Sequence, residues 1–462
     1  MGDFVLLSAF LLLLIGATVD GFLQKSTSGS WQHHYHNHHI GSFSTSGVNE
    51  FGRVSPAIGG RESFFDARAT QSDDTDIIAS TNNTHKTDGG MDRRRAIKAT
   101  GMAMLSLWLG DTLGSDSLPS KWAASAAEEA ASGSAGRTVL ITGCNSGIGL
   151  EAARILARRN PNDKLVLACR TQAKADGTVQ QILAESPAAN LVPAECDLAN
   201  LESIKKFVAS LNGNLDVVCY NAGLAQNTKG EIERTADGFE KTIGTNHLGH
   251  FYLHHLLQSK LNTSNGKVVI TASSVHDPES PGGKQGIPAT LGDLGGFARD
   301  GKNFEMVDGN PYNGDKAYKD SKLCNILFCR ELQRKLALDG ATKNVVVNAF
   351  SPGLITSTGF FRYQNPVFSS IFNVAATNIF KLAETPEYGG AALAYMTTVE
   401  ETSGKFFDSP PGTSNKYASD GNSYLGAFGK EFAPAAVSKE ALDDEKAMRL
   451  WVLSEKLVGI SS

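Results

Sequence analysis

One stretch confines the fold more than any other. Residues 138–159, TVLITGCNSGIGLEAARILARR, run from a β-branched apolar strand through a turn with Gly143, Gly147 and Gly149 into an amphipathic helix. A strand that passes through glycines straight into a helix is one half of a βαβ unit. The rest of the chain repeats the alternation. KLVLACR (164–170), LVPAECDL (191–198), LDVVCYNAG (215–223), GKVVITASS (266–274) and NVVVNAFSPG (344–353) read as further strands with helical segments between them. Near-continuous apolar strands of this kind are covered on both faces. The expected fold class is α/β: a Rossmann-like doubly wound parallel sheet, a single domain with insertions over 137–460, behind a largely disordered N-terminal targeting leader.

Glycines at such a turn let backbone N–H groups at the helix N-terminus approach a pyrophosphate. Gly143, Asn145, Ser146, Gly147, Ile148 and Gly149 are therefore the expected phosphate-side residues. The second strand ends in Cys169 and Arg170, where an acid would suit a free ribose 2′-hydroxyl. A guanidinium suits a 2′-phosphate instead, so NADP(H) is expected over NAD(H). Asp197 and Leu198 are assigned to the adenine, and Asn221, Ala222 and Gly223 to the wall beside the cofactor. Pro352 and Gly353, after the last strand, complete the cofactor set. The TGxxxGxG spacing departs from GxGxxG and resembles the short-chain dehydrogenase/reductase superfamily.

NGDKAYKDSKLCNILF (313–328) then sets Tyr318 and Lys322 one helical turn apart, on a face that Leu323, Ile326 and Leu327 turn inward. Hydride transfer to a carbon must be matched by proton delivery, and a free phenol near pKa 10 is a poor acid–base at neutral pH. A neighbouring ammonium, together with an oxidised nicotinamide, is expected to bring the phenol down. Lys322 is also expected to hold the nicotinamide ribose. Ser273 is assigned to hydrogen-bond the reacting group, with Ser274 as the alternative. Asn246, in TNHLGH, is expected to hold a water that links Lys322 to solvent.

TNHLGHF, LGDL, AYKDSKLCN and the ending DDEKAMRLWVLSEKLVGI together resemble the light-dependent protochlorophyllide oxidoreductases, a branch of that superfamily, over nearly all of 137–460. The resemblance implies NADPH-linked reduction of a bulky tetrapyrrole. Ser273 and Tyr318 stand 45 residues apart, and the Gly- and Pro-rich segment 277–314 between them resembles that branch's insertion. It is expected to form a lid or substrate wall at the mouth of the site. Two positions depart from the branch: Leu354 stands where its members carry a Cys, and Ala225 where they carry a Tyr. The alternatives are a light-independent carbonyl or alcohol oxidoreductase on a lipophilic plastid metabolite, and a non-catalytic NADP-binding scaffold. Phe360, Phe361, Tyr363, Phe368, Phe372 and Phe380 around the late Pro-Gly turn favour a flat, apolar small-molecule substrate.

The first 130 residues of the 462 read as an address rather than a fold. FVLLSAFLLLLIGA (4–17) resembles a signal-peptide core within 1–21, and 22–92 is a transit or linker segment rich in Ser, Gly and His. RRRAIKATGMAMLSLWLG opens a twin-arginine-like segment, 93–130. In series these predict a plastid destination, with thylakoid membrane or lumen as the final address and peripheral association with the thylakoid membrane. A net charge of −5 gives nucleic-acid binding no support. The six cysteines lack CxxC spacing and read as reduced packing residues. No metal site is expected, WQHHYHNHH having no frame to hold ligands in geometry. Nothing in the sequence marks an oligomeric state.

Overall fold

The computed structural model describes residues 136–226, 230–355, 382–419 and 424–460. The targeting segments and the aromatic run 357–380 lie outside the described residues. An eight-stranded sheet runs in the order β3-β2-β1-β4-β5-β6-β7-β8. Its strands are β1 (Thr138–Thr142), β2 (Lys164–Cys169), β3 (Asn190–Glu195), β4 (Val217–Tyr220), β5 (Lys267–Thr271), β6 (Val346–Phe350), β7 (Phe406–Asp408) and β8 (Ala433–Ala435). Every pairing is parallel except β7 with β8. The doubly wound sheet is thus as expected, with two three-residue strands added beyond β6, the last of them antiparallel at the edge.

The order reverses between β1 and β4, and ligands of such sheets bind beyond the carboxyl ends of the strands at that point. On one face lie α1 (Gly147–Arg159) and α6 (Pro386–Met396); they approach so closely that a Cβ on Gly390 would sit 2.4 Å from Glu151 Cβ. Two further helices flank the first half of the sheet: α2 (Gln172–Glu185) and α3 (Leu201–Ser210). The other face buries α4, α5 and α8. The helix α4 starts at Lys241–Ile243, passes through a π-helical turn at Gly244–Leu248 and continues as Gly249–Leu257. The long helix α5 is Gly314–Leu338, and α8 is Asp444–Val458. A short helix, α7 (Thr413–Ser419), follows β7. Leu323, Ile326 and Leu327 of α5 are all buried, as their spacing requires.

All six cysteines are free and buried. Cys144 and Cys169 bring their sulfurs within 3.5 Å at the ends of β1 and β2.

The segment 277–314 differs from the expected lid. Leu291, Leu294, Phe297, Phe304, Met306 and Val307 bury their side chains and weld it to the helical face. Lys316, in the first turn of α5, reaches back to Asp308 at 2.9 Å, to Asp320 at 2.5 Å and to the carbonyl of Thr290 at 2.7 Å. Lys319 donates to the carbonyls of Gln285 and Ile287. Six apolar side chains and two buried ammonium groups make this a splint for the start of α5, and none of its residues lines the cofactor cavity described below.

Candidate active site

The site begins where β1 ends. Gly143 and Gly147 hold φ of 69° and 60°, the left-handed region that favours glycine. A Cβ at Gly143 would fall 2.7 Å from Ala222 Cα, and one at Gly149 would fall 2.5 Å from the Gly143 carbonyl oxygen. The turn is therefore a cradle that side chains would fill. Ser146 caps α1 in extended conformation without a side-chain hydrogen bond, leaving the first N–H groups of the helix for an anion.

Beyond this turn lies a cavity of about 410 Å³. Every predicted cofactor residue lines it: Gly143, Asn145, Ser146, Gly147, Ile148, Gly149, Arg170, Asp197, Leu198, Asn221, Ala222, Gly223, Pro352 and Gly353. So do Ser273, Tyr318 and Lys322. Arg170 is exposed at the rim, just after β2. Asp197 turns its carboxylate to the Ala199 N–H at 3.1 Å, which fixes the loop after β3. Asn221 donates through Nδ2 to the Thr142 carbonyl at 3.0 Å, and its own N–H goes to Thr142 Oγ1 at 3.0 Å.

Asn246 does not line the cavity, and neither does Ser274, the alternative to Ser273. The Asn246 side chain accepts the Leu224 N–H at 2.9 Å and donates to the Leu224 carbonyl at 2.9 Å and to Ser321 Oγ at 3.0 Å. It therefore sits one layer behind, pinning the chain that follows the NAG wall.

Tyr318 hydrogen-bonds the Ser273 side chain, which puts Ser273 rather than Ser274 beside the phenol. Burial pushes the phenol well above its ordinary pKa, and the Ser273 bond offsets only part of that. Lys322 is buried, donates to the Thr271 carbonyl at 3.2 Å and lies 5.4 Å from the centre of the Tyr318 ring. Burial brings its ammonium down to about 8. Lys322 by itself thus does not lower the phenol as expected: burial sets its direction, and the Ser273 bond alone opposes it. What remains of the expected lowering is the charge of an oxidised nicotinamide.

Several lining residues escaped the sequence reading. Lys174 lines the cavity in the first turn of α2, one turn beyond Arg170, and that spacing was its available signal. Lys241 and Thr245, a turn apart on α4, also line it. Lys241 pairs with Glu233, while the buried Thr245 Oγ1 has no hydrogen-bond partner among the described residues.

Residues 137–284 match the short chain dehydrogenase family. With the sheet order and the glycine cradle, that match makes the chain an oxidoreductase of the type that works with a nicotinamide cofactor. The chain is also similar to the chloroplastic protochlorophyllide reductase of Daucus carota, 34% identical over 333 residues that span 70% of this chain and 78% of that one. The chloroplastic protochlorophyllide reductase B of Oryza sativa subsp. japonica is 35% identical over 70% of this chain and 78% of its own length. The chloroplastic enzyme of Chlamydomonas reinhardtii is 34% identical over 71% and 79%. The chain belongs to the family of the protochlorophyllide reductases within the short-chain dehydrogenases and reductases.

Proposed function

We propose that the chain is an NADPH-dependent reductase of a bulky, apolar substrate of the protochlorophyllide type, working in the plastid. The observation that carries this is one cavity with the glycine cradle, the basic pair Arg170 and Lys174 at its rim, and Ser273, Tyr318 and Lys322 in its lining. The N–H groups at the start of α1 would hold the pyrophosphate, and Arg170 with Lys174 the 2′-phosphate. Bound NADPH supplies the hydride. Lys322 holds the nicotinamide ribose and keeps a positive charge near the phenol. Tyr318 gives its proton to the second carbon of the reduced double bond, while Ser273 orients the phenol through its hydrogen bond. Recovery of the phenol proton would run through Lys322 toward solvent.

The chloroplastic relatives and the targeting-like leader support a plastid address, with thylakoid membrane or lumen as the finer possibility. No helix among the described residues is long and apolar enough to cross a membrane.

A second reading has its own observation. Leu354, 38% exposed beside the late Pro-Gly turn, and Ala225 stand where the resemblance to the branch implies a Cys and a Tyr. Without them the same Ser–Tyr–Lys chemistry serves a light-independent carbonyl reductase. Absorbance of the protein mixed with NADPH and protochlorophyllide, before and after illumination and in darkness, separates the two. A red-shifted pigment band and light-dependent product support the first. No band shift and no product after illumination move the assignment to the second.

A further inference from the structure

The Thr245–His250 segment brings a second residue to the site besides Asn246. His250 is 2% exposed, and both of its ring nitrogens have partners. Nδ1 lies 3.0 Å from the backbone carbonyl oxygen of Asn246, which can only accept, so Nδ1 carries the proton. Nε2 is then an acceptor, 2.9 Å from Thr142 Oγ1, which donates to it. The Cys219 carbonyl, 3.2 Å from the same hydroxyl, is the longer alternative for that proton. The Thr142 oxygen in turn accepts the N–H groups of Asn221 at 3.0 Å and Ala222 at 3.1 Å.

One chain of bonds therefore runs from the NAG wall through Thr142 and the imidazole to the π-helical turn. The Asn246 side chain closes it by gripping Leu224, so residues 221–224 are held at both ends. Lys322 is close to this clamp: a Cβ on Gly223 would lie 3.4 Å from Asn246 Oδ1 and 3.7 Å from Lys322 Nζ. Burial keeps the imidazole neutral, its pKa brought down to about 4. A ring that merely filled core space beside Tyr220 would need neither bond.

We infer that His250 is a positioning residue of the reductase site, coupling the Asn221–Gly223 cofactor wall to the Asn246 turn behind Lys322 as a neutral, Nδ1-protonated imidazole. This rests on the nicotinamide-cofactor reading of the cavity.

Three substitutions test it. His250→Phe keeps a ring and removes both bonds. His250→Asn keeps an amide donor at the place of Nδ1, and His250→Gln sets an amide oxygen at the place of Nε2. The primary readout is the Kd for NADPH, taken from nicotinamide fluorescence because it needs no substrate; kcat with protochlorophyllide and the melting temperature accompany it. The Phe variant should weaken NADPH binding by about tenfold as the wall loses its tie, and should lower the melting temperature by a few degrees because buried hydrogen-bonding groups are left unpaired. Gln should recover most of the NADPH affinity, and Asn should recover kcat more than affinity. The reverse order, with Phe close to the unmodified protein and both amides impaired, is what a packing residue would give and overturns the inference. If the variants do not fold, nitrogen-15 NMR of histidine in the unmodified protein decides: a neutral Nδ1–H ring supports it, and an Nε2–H or doubly protonated ring at neutral pH overturns it. An unmodified protein that does not bind NADPH would end the cofactor reading and this inference together. A flat response on a protein that does bind NADPH ends this inference alone.

Discussion

Removing Arg170 and Lys174 singly and together is the sharpest probe of cofactor choice. Both are exposed at the cavity rim, so each contact with a 2′-phosphate would be charged but partly solvated. A hydrogen bond to a charged group is worth about 1.5–3 kcal/mol when well shielded, and exposure trims it toward about 1–2 kcal/mol. At about 1.4 kcal/mol per tenfold, Arg170→Ala should cut the NADPH-over-NADH preference about five- to thirtyfold. Lys174→Ala should do less, since its ammonium is a point charge without a guanidinium's two-pronged fit. Both would face one phosphate, so the double variant should lose less than the product of the single effects. The assay is titration of each protein with NADPH and NADH at low and high salt. Raising salt from about 0.1 M to about 1 M shortens the screening length from about 10 Å to about 3 Å and should shrink the preference of the unmodified protein. Equal dissociation constants for the two cofactors in the unmodified protein would refute the assignment of this rim.

Tyr318→Phe should abolish turnover while leaving NADPH affinity nearly intact, whereas Lys322→Ala should damage both; steady-state rates beside fluorescence titration check this, and a Phe variant with most of its kcat would move the proton donor elsewhere. Burial brings the Lys322 ammonium down to about 8, so kcat/KM should fall above about pH 8. The folded pKa lies below the unfolded value near 10.4, so stability should rise as pH goes from about 8 to about 10.4. Urea midpoints across that range that match those of Lys322→Met would contradict it. Lys316→Met leaves the carboxylates of Asp308 and Asp320 without their cation and should cost about 3–5 kcal/mol in urea unfolding. Burial already lifts Asp320 to about 7, so that deficit should narrow as pH falls and the acids take up protons. An unchanged midpoint would count against the splint. Leu354→Cys should raise any light-driven turnover measured with protochlorophyllide, and no gain would leave the departure at Leu354 without consequence.

Much of the site was legible because its chemistry is local. The glycine turn, the end of β2, the NAG strand end and the Tyr318–Lys322 spacing each sit within a few residues, and one sheet rule brings them together at the carboxyl ends of the strands. What stayed hidden depends on contacts between distant segments. β7 and β8 are three residues each, too short to show a period, and exist because their neighbours offer an edge. The π-helical turn at Gly244–Leu248 leaves no mark in composition, yet it sets where Asn246 points. Segment 277–314 reads as a loop by its glycines and prolines, whereas Phe297, Phe304 and the two lysines of α5 make it part of the core. The pKa of Tyr318 follows from burial, which no spacing reports.

The helix α5 runs 25 residues, and Tyr318 and Lys322 stand in its first turns while Cys324, Ile326, Leu327, Phe328 and Cys329 build the core further on. The reacting groups thus belong to the same cooperative unit as the hydrophobic centre, and they cannot open by local fraying. Their amides should exchange with deuterium only as slowly as the whole domain unfolds. Arg170, at the far end of the cavity, is exposed just past the buried end of β2 and should exchange earlier. The cofactor would then be gripped stiffly where hydride leaves and loosely where the 2′-phosphate binds, so nucleotide could enter and leave through its phosphate end without disturbing the proton donor.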